Sequence, residues 1–389
     1  MAVNTTIGHP ARGDEYFDRP QLTDRLWEKI QSGSSILLAA PRRVGKSSIL
    51  FYLMDNPKDK YRPTYIDTES VNNKNEFFKR LFNLVINTLS GISRYSKLAS
   101  NFSRDLAARI ESIGAKGITI GDSRLNYYDE FLALIKSLDL KGERFIILVD
   151  EFAETVQNII KDEGKREAVH FLQSNRTLRQ MPEINEKIQF ICAGSIGLEN
   201  IVNSLNASAT INDLYSFAIP PFTKTEAKNL VLKLIKGTDY VFKEEKIHYM
   251  LKKIEWLIPF YIQLIVDEID KLEFEKKPKR IMEKEIDEAF LQAVVHRNYF
   301  ANWHTRLRRA YEGSEYNFIK DLLNYLSEHD TIPSGEILDL ATAFEIEAEY
   351  VNIINALKYD GYINNHDDPK IYRFNSPLLK IWWYKNVAN

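Results

Sequence analysis

At 389 residues, with 44% hydrophobic, 27% charged and 12% aromatic side chains, the chain has the composition of a folded protein with room for two or three cores. A formal charge of −2 supplies no global field toward nucleic acid or anionic membranes, and the single cysteine, Cys192, excludes an internal disulfide. Seven histidines without paired spacing argue against a dedicated zinc site. The first residues lack a signal-peptide pattern, and the longest strongly apolar stretch, around Trp256–Val266, is too short to span a bilayer. A cytoplasmic protein with no membrane partner is expected.

Five short apolar runs read as buried parallel strands: Ile36–Ala40, Thr64–Asp67, Phe145–Val149, Ile188–Ala193 and Tyr215–Ile219. Segments of helical periodicity lie between them, with Phe77, Leu81, Leu84 and Val85 on one face, so the pattern predicts a doubly wound α/β core over residues 1–222. The glycine-punctuated stretch Ser90–Arg124, with a small strand at Ile118–Ile120, reads as an insertion. From Thr223, where Thr223 and Glu226 have the spacing of a capping box, helices take over to about residue 300, interrupted by the charged linker Lys271–Arg280. This span, 223–300, reads as a small helical domain.

Residues 301–389 have another character. Ile319, Leu322, Leu323 and Leu326 mark a helix, and Ser334–Thr342 and Ala348–Tyr359 mark two more. After the turn signal Asp360-Gly361 come short strands around Tyr362-Ile363 and Ile371–Phe374, then a helix Pro377–Tyr384. Three helices and a hairpin form a winged-helix pattern.

The chemistry concentrates at two places. Ala40-Pro41-Arg42-Arg43-Val44-Gly45-Lys46-Ser47 fits the spacing of a phosphate-binding loop between a strand and a helix, with alanine at the first glycine position. In the loop Pro41–Ser48 the converging N–H groups after Pro41 would cradle the phosphates, Lys46 would reach the β- and γ-phosphates, and the Ser47 hydroxyl would ligate Mg²⁺. The run Arg144–Val149 ends in Asp150-Glu151, where Asp150 is placed to hold the metal through its water shell and Glu151 to polarise an attacking water. A weaker third element is Ser195, just after the strand Ile188–Ala193, where a small polar side chain can sense the γ-phosphate. Together these predict a Mg-dependent ATPase binding ATP and ADP.

Tyr16–Leu22, Ala40–Ser48, Phe190–Leu198, Ile211–Leu214, Ile219–Phe222 and Trp256–Phe260 resemble segments of the AAA+ and STAND ATPases, most closely the archaeal- and bacterial-type STAND ATPases related to the origin-recognition branch. Tyr372–Trp383 looks like that group's C-terminal winged helix. The resemblance implies a P-loop core, a helical lid over residues 223–300 and a winged helix that relays nucleotide state. It also implies Phe17 and Arg19 near the adenine and Pro259 near the nucleotide from the lid side. Two departures stand out: Pro259–Ile269 has no basic residue where AAA+ motors present an arginine, and only Arg176 and Arg179 offer themselves as an arginine finger. Both favour a slow switch over a ring motor.

The helix that would enter a DNA groove exposes Glu349, Asn352, Asn355 and Lys358, with Glu345 and Glu347 ahead of it, and the hairpin tip carries Asp367 and Asp368 beside Lys370. That face suits a protein partner or self-association better than phosphates. Arg297, Arg306, Arg308 and Arg309 either form a stripe toward DNA or pair with the acidic Glu283–Glu288 segment. A regulatory switch is therefore expected, with a DNA-assembling ATPase as the alternative.

Overall fold

A computed structural model describes residues 4–92, 100–102, 104–105, 125–194, 197–274, 277–295 and 297–388. The chain divides into two compact units: Arg19–Ala39 with Ile49–Ala218, and Met1–Asp18 with Ala40–Ser48 and Ile219–Asn389. Most of the stretch read as an insertion, including Ile118–Ile120, lies outside the described residues, as does Ser195.

The first unit is built on a five-stranded sheet in the order β2-β3-β4-β1-β5, every pair parallel. The strands are β1 Ile36–Ala39, β2 Tyr61–Asp67, β3 Arg144–Asp150, β4 Ile188–Ala193 and β5 Tyr215–Ala218. All five expected runs are strands, Ile188–Ala193 with the same ends and the other four with shifted ones. β2 starts at Tyr61 and takes in Pro63, which a sheet tolerates because β2 is an edge strand and needs no N–H on its open side. Central β3 and β4 are buried almost throughout, whereas edge strand β5 buries only Phe217. On one face, Phe77 and Phe78 of helix Lys74–Ser90 meet Phe152 and Phe171, with Phe77 edge-on to Phe171 at 4.9 Å.

The second unit holds the helices Lys224–Leu234, Glu244–Ile254, Pro259–Lys271 and Glu283–Val295. The expected capping box is formed: the Glu226 N–H donates to Thr223 Oγ1 at 3.2 Å and the Thr223 N–H to Glu226 Oε2 at 2.7 Å. Where the sequence suggests a charged linker, Lys279–Arg280 (β7) pairs in parallel with Tyr240–Val241 (β6). The N-terminal segment is strapped to these helices: the Thr6 N–H donates to Gln263 Oε1 at 2.7 Å, and Lys233 Nζ to the Tyr16 carbonyl at 2.6 Å.

Toward the C-terminus follow the helices Arg297–Ala310, Gly313–Glu328, Ser334–Ala343, Tyr350–Tyr359 and Pro377–Asn386. The two expected strands are β9 Ile363–Asn364 and β10 Ile371–Phe374, antiparallel, and a third, β8 Ile332–Pro333, joins on the far side of β10. An aromatic seam links this segment to the preceding helices of the same unit. Phe300 stacks between Tyr261 at 6.2 Å and Trp382 at 6.0 Å, and Trp303 stands edge-on to Tyr362 at 4.9 Å. The expected exposure of Glu345, Glu347, Glu349, Asn352 and Asn355 holds, and Asp367 and Asp368 are exposed at the tip, while Tyr350 is only half-buried. Among the described residues no helix is long and apolar enough to cross a membrane.

Candidate nucleotide site

β1 and β3 both pair with β4 and all three run parallel, so Ala39 and Asp150 end at one edge of the sheet, where strand-to-helix turns of an open α/β sheet place ligand groups. The loop Ala40–Gly45 continues directly from β1 into helix Lys46–Asp55, which begins two residues earlier than the sequence suggests.

In this loop Ala40 and Val44 are buried anchors, while Pro41, Arg42, Arg43, Ser47 and Ser48 are half-buried. Gly45 has φ of +101°, and a Cβ added there would touch nothing. Its need for glycine is therefore conformational rather than steric within the protein. Arg43 also sits in the left-handed region, at φ of 64°. Lys46 is 7% exposed and its ammonium donates to the carbonyls of Ala40 and Pro41, both at 2.8 Å, folding the cation over the loop. The Arg43 guanidinium lies over the Phe260 ring at 3.8 Å from the centroid, and burial lowers its pKa to about 10. Pro259–Ile269 thus has no cation of its own, and Phe260 at its start receives one from the phosphate loop. Pro259 is the first residue of that helix and is half-buried.

In the other unit, Asp150 closes β3 with 4% exposure. Its Oδ2 accepts from the Tyr65 hydroxyl at 3.2 Å, and its Oδ1 from the Glu151 N–H at 3.1 Å. Its carbonyl accepts from the N–H and hydroxyl of Thr68, at 3.1 and 2.9 Å, and the Thr155 hydroxyl donates to Thr68 Oγ1 at 2.8 Å. Tyr65 and the Glu151 N–H thereby orient the carboxylate, while Thr68, steadied by Thr155, holds the backbone beneath it. Burial, then the charges of Asp150 and Asp67, hold the Tyr65 phenol far above its usual range, so it remains a donor. Glu151 precedes helix Phe152–Glu163 with φ of 56°, a conformation costing a non-glycine residue about 1–2 kcal/mol. Strain of that kind is concentrated at functional positions. Tyr65, packed on Phe51 at 4.6 Å, is a site residue the sequence did not flag, because nothing local pairs a β2 tyrosine with the end of β3.

The remaining expectations divide. Phe17 packs on Phe222 at 5.3 Å, and Arg19 is 8% exposed at the N-terminus of helix Pro20–Gln31. Arg179 is not available as an arginine finger: its guanidinium forks onto Asp213 at 2.7 and 2.9 Å and donates to the Thr210 carbonyl at 2.8 Å. Of the arginines ahead of the C-terminal segment, half-buried Arg306 acts on the carboxyl of Asp360 and Arg308 and Arg309 are exposed, while the Arg297 side chain lies outside what is described.

Asp360, read from the sequence only as a turn residue, is the unforeseen member of the phosphate-loop neighbourhood. Burial pushes its carboxyl up to about 6 against the opposing pull of Arg306, Lys46 and Arg42. Two of those three cations belong to the phosphate loop.

Residues 11–196, which include the phosphate loop and the Asp150-Glu151 pair, match the family model described as predicted AAA-ATPase. No curated protein matches the chain. Among solved structures it is similar to a Walker-type ATPase of Pyrococcus abyssi, at 18% identity and a TM-score of 0.63 over 96% of this chain and 98% of that one. It is also similar to the ORC2 protein of Aeropyrum pernix, solved in ADPNP–ADP complexes, at 12% identity and a TM-score of 0.53 over 95% and 92%. The chain therefore shares the fold of these two proteins, and its residues 11–196 support an ATPase of the AAA type.

Proposed function

We propose that the chain is a slow, Mg-dependent ATPase that works as a switch, in which nucleotide held at Pro41–Ser48 governs the helical lid and a C-terminal winged helix. That state is relayed to a protein partner or to a second copy of the chain, in the manner of STAND ATPases. The observation that carries this reading is the phosphate loop's attachment. Arg43 lies over Phe260 of the lid helix, and Arg42 and Lys46 act on Asp360 of the C-terminal segment. A change at the loop is thereby felt in both following segments.

The chemistry follows from the residues. The N–H groups at the start of helix Lys46–Asp55 and the Lys46 ammonium suit the β- and γ-phosphates. To reach them, Lys46 would exchange acceptors that include the Ala40 and Pro41 carbonyls for phosphate oxygens. Bound Mg²⁺ would offset phosphate charge, and the Ser47 hydroxyl and the Asp150 carboxylate are oxygen donors of the kind such a hard cation takes. Glu151 takes the proton of the attacking water, and Ser195 senses the γ-phosphate. Phe17 and Arg19 would serve the adenine side, and Pro259 the nucleotide from the lid side.

DNA is the less favoured partner, because the exposed acids Glu345, Glu347, Glu349, Asp367 and Asp368 would repel a phosphate backbone. Light scattering after size-exclusion of E151Q with ATP, with ADP, and with ATP plus duplex DNA tests the choice. A species whose size or shape follows the nucleotide and ignores DNA is expected. An ATP-dependent oligomer that co-elutes with duplex would replace the switch with a DNA-assembling ATPase.

A further inference from the structure

We propose that Asp360 is a built-in anion at the phosphate loop, and that its charge opposes nucleotide so that bound ATP loosens the docked turn Tyr359–Tyr362. This deepens the nucleotide reading above and rests on it.

Three observations place the turn. Gly361, at φ of +85°, passes directly against the lid tryptophan: a Cβ there would lie 2.3 Å from Trp256 Cη2 and 3.0 Å from its Cζ2. Only glycine fits, and the contact holds the neighbouring Asp360 in place. On the other side the Tyr362 hydroxyl donates to the Trp303 carbonyl at 2.8 Å, in a buried bond. Further along, Arg373 Nη1 meets Glu255 Oε2 at 3.1 Å, tying β10 to the residue before Trp256. The turn is therefore clamped to the lid independently of any charge on Asp360.

Within that clamp, Asp360 Oδ1 is shut off from solvent with no hydrogen-bond partner. A buried acceptor left unmatched costs stability, so the position is not explained by packing or by bonding within the turn. What surrounds it is positive charge: Arg306 of its own segment, and Lys46 and Arg42 of the phosphate loop. Those two loop residues are the ones a nucleotide's phosphates would engage. Phosphates arriving there bring several negative charges to a buried carboxylate and draw off the cations that compensate it. Either the carboxylate leaves or the nucleotide binds more weakly. Because the coupling is reciprocal, whatever Asp360 takes from ATP affinity is what ATP takes from docking of the turn.

The test uses the full chain at neutral pH, with MgATP affinity and hydrogen exchange of peptides covering Tyr359–Tyr362 measured on wild type, D360N and G361A. D360N keeps the shape and removes the charge. It should bind MgATP roughly five- to tenfold more tightly, and ATP should no longer speed exchange at its turn as it does in wild type. G361A keeps the charge and breaks the clamp on Trp256, so its turn should exchange fast with or without ATP while affinity again rises. Equal or weaker binding by D360N, or no effect of ATP on the wild-type turn, would overturn the Asp360 coupling alone. Failure of all three proteins to bind MgATP would overturn the nucleotide site on which the coupling rests.

Discussion

Two carboxylates carry the account at the residue scale, and their surroundings differ. Asp150 is held by Tyr65 and the Glu151 N–H, bonds that fix the direction of its carboxylate. Tyr65→Phe removes one donor while leaving the ring on Phe51. It should lower single-turnover hydrolysis several-fold with little change in nucleotide affinity, and cost about 1 kcal/mol of stability by chemical denaturation. Asp360 is raised to about 6 by burial, so it is neutral below that pH and charged above it. Tyr311 and Tyr362, also acted on by Asp360, are raised as well and stay protonated through this range. A raised carboxyl binds its proton more readily in the folded state, so its burial weighs against folding above about pH 6 and ceases to do so as pH falls. The MgATP affinity of D360N relative to wild type should accordingly exceed one at pH above 7 and approach one as pH falls through about 6. Taking the ratio cancels the nucleotide's own titration. A ratio constant with pH would remove Asp360's charge from the explanation.

At the scale of elements, much was legible because the signals are local. The strands β1 to β5 announce themselves as short β-branched or aromatic runs, and the Thr223–Glu226 box fixes the start of its helix to the residue. Thr223→Ala should cost about 1 kcal/mol and lower the melting temperature by a few degrees, read by circular dichroism. What the sequence hid depends on pairing at a distance. The two-residue strands β6, β7 and β8 have no periodicity to read and exist only because a partner segment presents its edge. Arg179 offered itself as an arginine finger, yet its fork onto Asp213 is a structural tie across residues distant in sequence. The Asp360-Gly361 pair reads as an ordinary turn in any sequence. Its glycine is demanded by Trp256 and its aspartate is set against Arg42 and Lys46, neither of which leaves a trace nearby in the chain.

At the scale of the molecule, the phosphate loop belongs by its contacts with the helical and C-terminal segments, while the acidic pair belongs to the sheet unit. The account stands or falls on Lys46 and Glu151 acting as predicted. The decisive measurement is MgATP binding and single-turnover hydrolysis on wild type, K46A and E151Q side by side. The account predicts that K46A loses binding, and that E151Q binds at least as tightly as wild type but hydrolyses on the order of 100-fold more slowly, as for loss of a general base. Equal hydrolysis by wild type and E151Q, or undiminished binding by K46A, would contradict it.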